Sequence, residues 1–377
     1  MLHVLLAYGL IASAPPGVQP PAATITRPAT AVTLGEALAS IQSQTGLTLT
    51  TTLDPKSPLT LKRREGALWP LLTEVADAAR GRLTVTQKGK AVVIVPRAEP
   101  RGFLFDPNLS VNMHPTRLSS IDGAFRVVAK QTVSRRDIEF GGGATELTLL
   151  VHWDPRLPVF RIDGEPRGKL EVHTEYDWPP MGLTYQYRPA LRERSSVSGK
   201  VATSGHSVTS VMRIDAKVRD SGGGGAMWRI GNFLEMEGKF TVTAAAKMLQ
   251  FRVGDTSKPT TLTQEGVTFT LQTPRKVGER WDVPVELVYP PSKVEFESFE
   301  AGVWLSRNKL QLIDPTGKPL DPMNEDFRES PGKANLVYRF PAGKVPADRA
   351  GWSLVYETPS PLVEFDVAFT LSNIPLP

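Results

Sequence analysis

The chain has 377 residues, 40% of them apolar and 22% charged, with a formal charge of +5 and no cysteine. That is globular composition, and the length suits about two to four domains. The lack of cysteine excludes disulfides, thiolate metal sites, iron–sulfur clusters, cysteine nucleophiles and lipid attachment at an N-terminal cysteine, so burial and sheet hydrogen bonds must hold the fold. The basic residues are scattered. Lys62-Arg63-Arg64 runs straight into Glu65, and Arg135-Arg136 into Asp137. This is the pattern of solvated faces and not of a nucleic-acid surface.

In chain order, Val4 to Ala14 is a short apolar run ending in Ala12-Ser13-Ala14, a small-x-small cleavage pattern. It is far shorter than the ~20 residues a membrane-spanning helix needs. Residues 1–23 are therefore expected to be a signal peptide and the start of a linker, with Ala22-Ala23 as a second cleavage point. Residues 24–31 continue the Pro/Ala/Thr-rich linker, which is expected to be extended, mobile and outside any core.

Thr33 and Glu36 have the spacing of a capping box, which predicts a helix start. Leu34, Leu38, Ile41 and Thr45 then come at helical spacing, and Gly46 supplies the left-handed residue that closes such a helix. Leu47 and Leu49 alternate with threonines as a strand, Asp54-Pro55-Lys56 marks a turn, and Leu59 and Leu61 make a second strand. A second helix carries Leu68, Leu71, Leu72, Val75 and Ala79, with Pro70 tolerated in its first turn and Gly81 expected to end it. Leu83 and Val85 form a strand, Gln87 to Lys90 a hairpin turn, and Ala91 to Val95 a closing strand.

This order of elements resembles the short N-terminal domain shared by secretins and TonB-dependent receptors. The matching stretches are Val32 to Leu38 with Ile41 and Gln44-Thr45-Gly46-Leu47, then Ala67 to Leu72, then Lys90 to Pro96. Together they cover about one sixth of the chain, residues 32–97. The resemblance implies an αββαββ periplasmic docking and signalling module without catalytic residues. The remaining ~280 residues depart from those families, because soluble-looking sequence stands where a transmembrane barrel or secretin pore would be. The ending Phe369 to Pro377 is similar to the ends of secreted bacterial β-rich proteins.

From Arg101 the helical period fades, and short β-rich runs recur between Gly, Pro, Asn and Asp turns. They include 124–128, 147–151, 170–176, 208–214, 240–244, 267–271, 281–288, 336–340, 352–357 and 362–371. Asp314-Pro315-Thr316-Gly317-Lys318 predicts a hairpin turn. The fold class expected is α+β, mainly β: the small αββαββ domain, then β-sandwich-like units at 101–190 and 191–377.

Five constellations bear on chemistry. Glu171, His173, Glu175 and Asp177 alternate along one strand and could offer an imidazole and carboxylates to a divalent ion. The apolar residues between them equally fit a half-buried strand. His152 and Asp154 could pair a base with an orienting acid, or simply end a strand before Pro155. Ser204 and His206 lack a nucleophile elbow, and the glycine runs lack a phosphate-loop lysine. Trp178, Tyr185, Tyr187 and Trp228 could form a ring-stacking platform for a sugar or peptide.

No catalytic set and no cofactor motif emerges. The expected function is that of a non-enzymatic, exported protein of the periplasm or cell surface, which binds an envelope protein through the docking domain and uses its β units as scaffold. The alternative is a β protein that binds glycan or cell-wall polymer, metal-dependent or derived from a hydrolase. Nucleic acid is not an expected partner, and no transmembrane segment is expected in the mature chain.

Overall fold

The computed structural model describes residues 19–26, 31–86, 91–97, 117–136, 143–163, 166–176, 200–202, 207–214, 229–290, 308–330, 332–346 and 351–376. The described chain is mainly β, with several mostly antiparallel sheets and two helices, Leu34–Thr45 and Leu68–Ala78. None of its helices is long and apolar enough to cross a membrane. The expected signal run, the turn at 87–90 and the glycine loops at 141–142 and 221–225 lie outside the described residues.

The first helix begins as its capping residues require. The Thr33 hydroxyl accepts from Glu36 N–H, and the Glu36 carboxylate accepts from Thr33 N–H. Gly46, at φ +69°, closes the helix by donating to Gln42 O. The second helix has no side-chain cap, and Pro70 stands in its first turn, where a missing N–H costs little. Gly81 does not end it. Arg80 takes the left-handed conformation instead (φ 52°), and Gly81 opens the strand Gly81–Val85. That glycine is required for space, because a Cβ there would stand 2.7 Å from Ile94 Cγ2 and 3.0 Å from Val95 O.

Strand Thr48–Thr51 pairs parallel, and Gly81–Val85 antiparallel, with the central strand Ala91–Pro96. Leu34, Ile41, Leu71, Leu72 and Val75 from the helices close one core with Leu49, Val92 and Ile94 from this sheet. Ile25 is completely buried in the same core. The segment expected to be a mobile linker therefore contributes a strand, Ile25–Thr26, paired with Glu65–Gly66. The Gln44 amide also brackets Thr26, accepting from its N–H at 3.0 Å and donating to its carbonyl at 2.7 Å.

The chain folds as two compact units, one of Pro21–Thr243 with Asp366–Pro377, the other containing Ala244–Phe365. The division expected near residue 190 is not where the described chain separates. Strand Ser207–Ile214 pairs with Gly143–Trp153, and Arg229–Ala245 with Arg167–Tyr176, so sheets run across that position. The last strand, Leu362–Leu376, returns to pair with Arg229–Ala245.

In the second unit, one sheet contains Met248–Val253, Ser353–Pro359, Lys309–Ile313 and Pro319–Leu320. Another contains Thr260–Gln264, Val267–Leu271, Arg280–Val288, Lys333–Pro341 and Asn324–Ser330, with Arg275–Val277 on the same central strand. Phe269 of the second sheet meets Phe251 and Tyr356 of the first at ring distances of 5.4 and 4.9 Å. The expected turn at Asp314 forms: its carboxylate accepts from Thr316 and Lys318 N–H, and Gly317 has φ +86°.

Candidate functional site

A buried polar group lies where the second helix meets the sheet next along the chain. Strands Phe125–Arg136 and Gly143–Trp153 pair antiparallel and set His152 directly opposite Arg126. Trp69 reaches this point from the helix, and its indole N–H donates to Ala124 O at 3.0 Å. The indole stands 5.9 Å from the His152 ring and 5.9 Å from the Arg126 guanidinium. His152 is 2% exposed and Asp154 1%.

Burial, with the Arg126 charge as a second cause, pushes the His152 imidazole down to about 3. The ring is thus neutral near pH 7, and its Nδ1 has no hydrogen-bond partner among the described residues. Burial also lowers Arg126 to about 10, which leaves it charged at neutral pH. Asp154 takes a two-pronged ion pair from Arg156, Nε to Oδ1 at 2.9 Å and Nη2 to Oδ2 at 2.6 Å. On its other side the same guanidinium donates to Ala23 O at 2.7 Å and Thr24 O at 3.3 Å.

Chemically, this arrangement ties chain segments together. A carboxylate whose two oxygens already hold an arginine orients that arginine toward the carbonyls next to Ile25. An imidazole that stays neutral down to about pH 3 packs on an indole and is a poor proton acceptor at neutral pH. Sequence reasoning singled out His152 and Asp154 but missed Trp69, Arg126 and Arg156. A signal for Arg126 was present: an arginine inside the apolar run Ala124-Phe125-Arg126-Val127-Val128 must be buried on one side or the other.

Glu171, His173 and Glu175 occupy alternate positions of strand Arg167–Tyr176, in register with Glu235, Phe233 and Gly231. Asp177, Trp178, Tyr185, Tyr187, Ser204, His206 and Trp228 lie outside the described residues. Among the described residues, no group of three or more His, Asp or Glu could hold a metal ion.

A separate groove of about 520 Å³ lies on the second unit. Pro284 lines it, and has no N–H to donate in the middle of strand Arg280–Val288. Strands Val267–Leu271 and Arg275–Val277 both pair along that side of it and leave a gap at Gln272 to Pro274, where Gln272 N–H bonds to Pro284 O at 3.0 Å. Thr270, Gln272, Arg275, Pro284, Asn335 and Val337 line the groove. Compared with protein-family models, curated proteins and solved structures, the chain matches none.

Proposed function

We propose that this chain is an exported envelope protein that works by binding another protein, with residues 32–97 as an αββαββ docking module of the secretin and TonB-receptor type and sandwich-like β units as its scaffold. The observation that carries this is the composition of the module's free sheet face. Both helices close one side of the three-stranded sheet. The other side presents Thr48, Thr50, Ala91, Val93, Val95, Arg82 and Thr84, with Thr50, Val93 and Thr84 side by side in register. One charge in seven positions is sparse for a wet face, and a charge-poor surface with half-buried valines favours protein contact. The Asp154–Arg156 clamp and the Trp69 bond supply the firm attachment such a module needs to transmit a docking event.

The test is capture of an envelope protein by immobilised full-length chain, and its loss when Thr50 and Thr84 are both changed to Glu. Capture that survives the two charges rejects this face, and no capture from any envelope extract rejects the docking function.

A second reading, binding of a glycan or cell-wall polymer, is favoured by the groove at Pro284. Its hydroxyl, amide and guanidinium groups at Thr270, Gln272, Asn335 and Arg275 suit a polyhydroxylated ligand. Peptidoglycan and glycan pull-down by wild type and by Gln272→Ala/Asn335→Ala separates the two readings.

A further inference from the structure

The formal charge of the chain is segregated. Residues 1–97 hold ten Lys and Arg against five Asp and Glu, whereas residues 98–377 hold 34 of each. The whole surplus of +5 thus belongs to the first quarter of the chain, and a charge asymmetry of this kind points to an anionic polymer or membrane surface. Four of the ten cations, Lys56, Lys62, Arg63 and Arg64, fall within nine residues.

The fold turns all four outward. Leu59 and Leu61 are buried in the core of the small α/β element, so the alternate positions Lys56, Pro58, Thr60 and Lys62 face solvent as one ridge. The loop after Thr60 is drawn down onto the second helix, where the Glu74 carboxylate accepts from the N–H groups of both Lys62 and Arg63, the latter at 3.1 Å. Pairing of Glu65–Gly66 with Ile25–Thr26 fixes the far end of the loop. At the near end Lys56 N–H donates to Asp54 Oδ1 at 2.9 Å. The backbone is therefore held from below while the side chains of Lys62, Arg63 and Arg64 stand exposed. Asp54 and Glu65 flank the ridge and Glu74 lies beneath it, which leaves the cations in excess.

The rest of the ridge decides which partner it fits. Its exposed residues between positions 54 and 65 include two prolines but no aromatic or long aliphatic side chain. A protein partner is held mainly by aromatic and other anchor side chains that fill pockets. A lipid surface presents diffuse negative charge and asks only for accessible cations. We propose that this ridge is a docking surface for an anionic phospholipid membrane, bound peripherally through the headgroup phosphates. The ridge lies against the second helix, away from the free sheet face, so lipid and a protein partner do not compete for one surface. It rests on charge and exposure and depends on neither reading of the function.

Co-sedimentation of the full chain with vesicles tests it. Vesicles of equal parts phosphatidylglycerol and phosphatidylcholine should bind the wild type at low salt, and pure phosphatidylcholine vesicles should not. Salt at about 0.5 M should release it, because exposed charges are then screened. Each basic residue near an anionic surface is worth about fivefold in affinity, so Lys62→Gln/Arg63→Gln/Arg64→Gln should weaken binding ~100-fold. Lys62→Arg/Arg63→Lys/Arg64→Lys keeps the charges and should bind like wild type. Lys276→Gln/Lys309→Gln/Lys344→Gln removes three exposed cations from the other unit and should also bind like wild type. Equal binding to both kinds of vesicle, binding to neither, or an equal loss in any two of the three variants overturns the proposal. Ridge-dependent binding to soluble polyglutamate without binding to vesicles assigns the ridge to an acidic protein and overturns it as well.

Discussion

The Trp69 indole and the His152 imidazole meet at 5.9 Å between ring centroids, tilted by 43°, and both are buried. One comes from a helix of the small α/β element and the other from the sheet next along the chain, so the contact joins two parts of the chain that the sequence presents as separate. The imidazole must be neutral to sit there.

His152 therefore makes the fold acid-sensitive. Its folded pKa, about 3, is depressed below the unfolded value of ~6.5, so between the two the unfolded chain binds the extra proton. Its contribution is fully present above pH 6.5 and is lost progressively as pH falls toward 3. By pH 4.5 the loss should be about 2–3 kcal/mol. His152→Phe keeps a ring against Trp69 and removes the proton. Urea unfolding at pH 7 and pH 4.5 should show a smaller pH effect in the variant, and an equal pH effect in both chains would contradict this.

Arg156→Ala should free the N-terminal strand. Asp154, 1% exposed, would be left without its cation, and the carbonyls of Ala23 and Thr24 would lose their donor. Removing one partner of a buried pair costs about 3–5 kcal/mol. Amide exchange around Ile25 should accelerate together with the loss of stability. Arg156→Lys should not restore protection, since an ammonium cannot fork to two carboxylate oxygens and also reach the carbonyls.

Gly81→Ala should be destabilising despite its small size. The new methyl would press on Ile94, Val95 O and Leu53 in the sheet interior. Overpacking of this kind costs about 1–3 kcal/mol. Thr33→Ala, by contrast, removes only an exposed helix cap and should cost about 1 kcal/mol. Denaturant midpoints of the two variants should fall in that order.

These examples also mark how far the sequence could be read. The cap at Thr33, the closing Gly46 and the Asp314 turn depend on neighbours within a few residues, and all formed as read. Gly81 was misread because its constraint comes from Ile94 across a sheet and not from the preceding helix. Ile25 looked like linker because proline-rich surroundings hide one apolar side chain that pairs far along the chain. The return of Leu362–Leu376 to the first unit was equally invisible, since strand periodicity gives a face but no partner. At the candidate site, His152 and Asp154 were visible as residue types. Their roles were set by Trp69, Arg126 and Arg156, which only folding brings near.

The most direct test of the docking account is the affinity of a captured envelope protein for three forms of the full chain: wild type, Thr50→Glu/Thr84→Glu, and Thr261→Glu/Thr263→Glu as an equally charged control on the other unit. The account predicts that the first pair weakens binding at least ~10-fold, about 1.4 kcal/mol, while the control binds like wild type. Equal affinity across all three forms would contradict it.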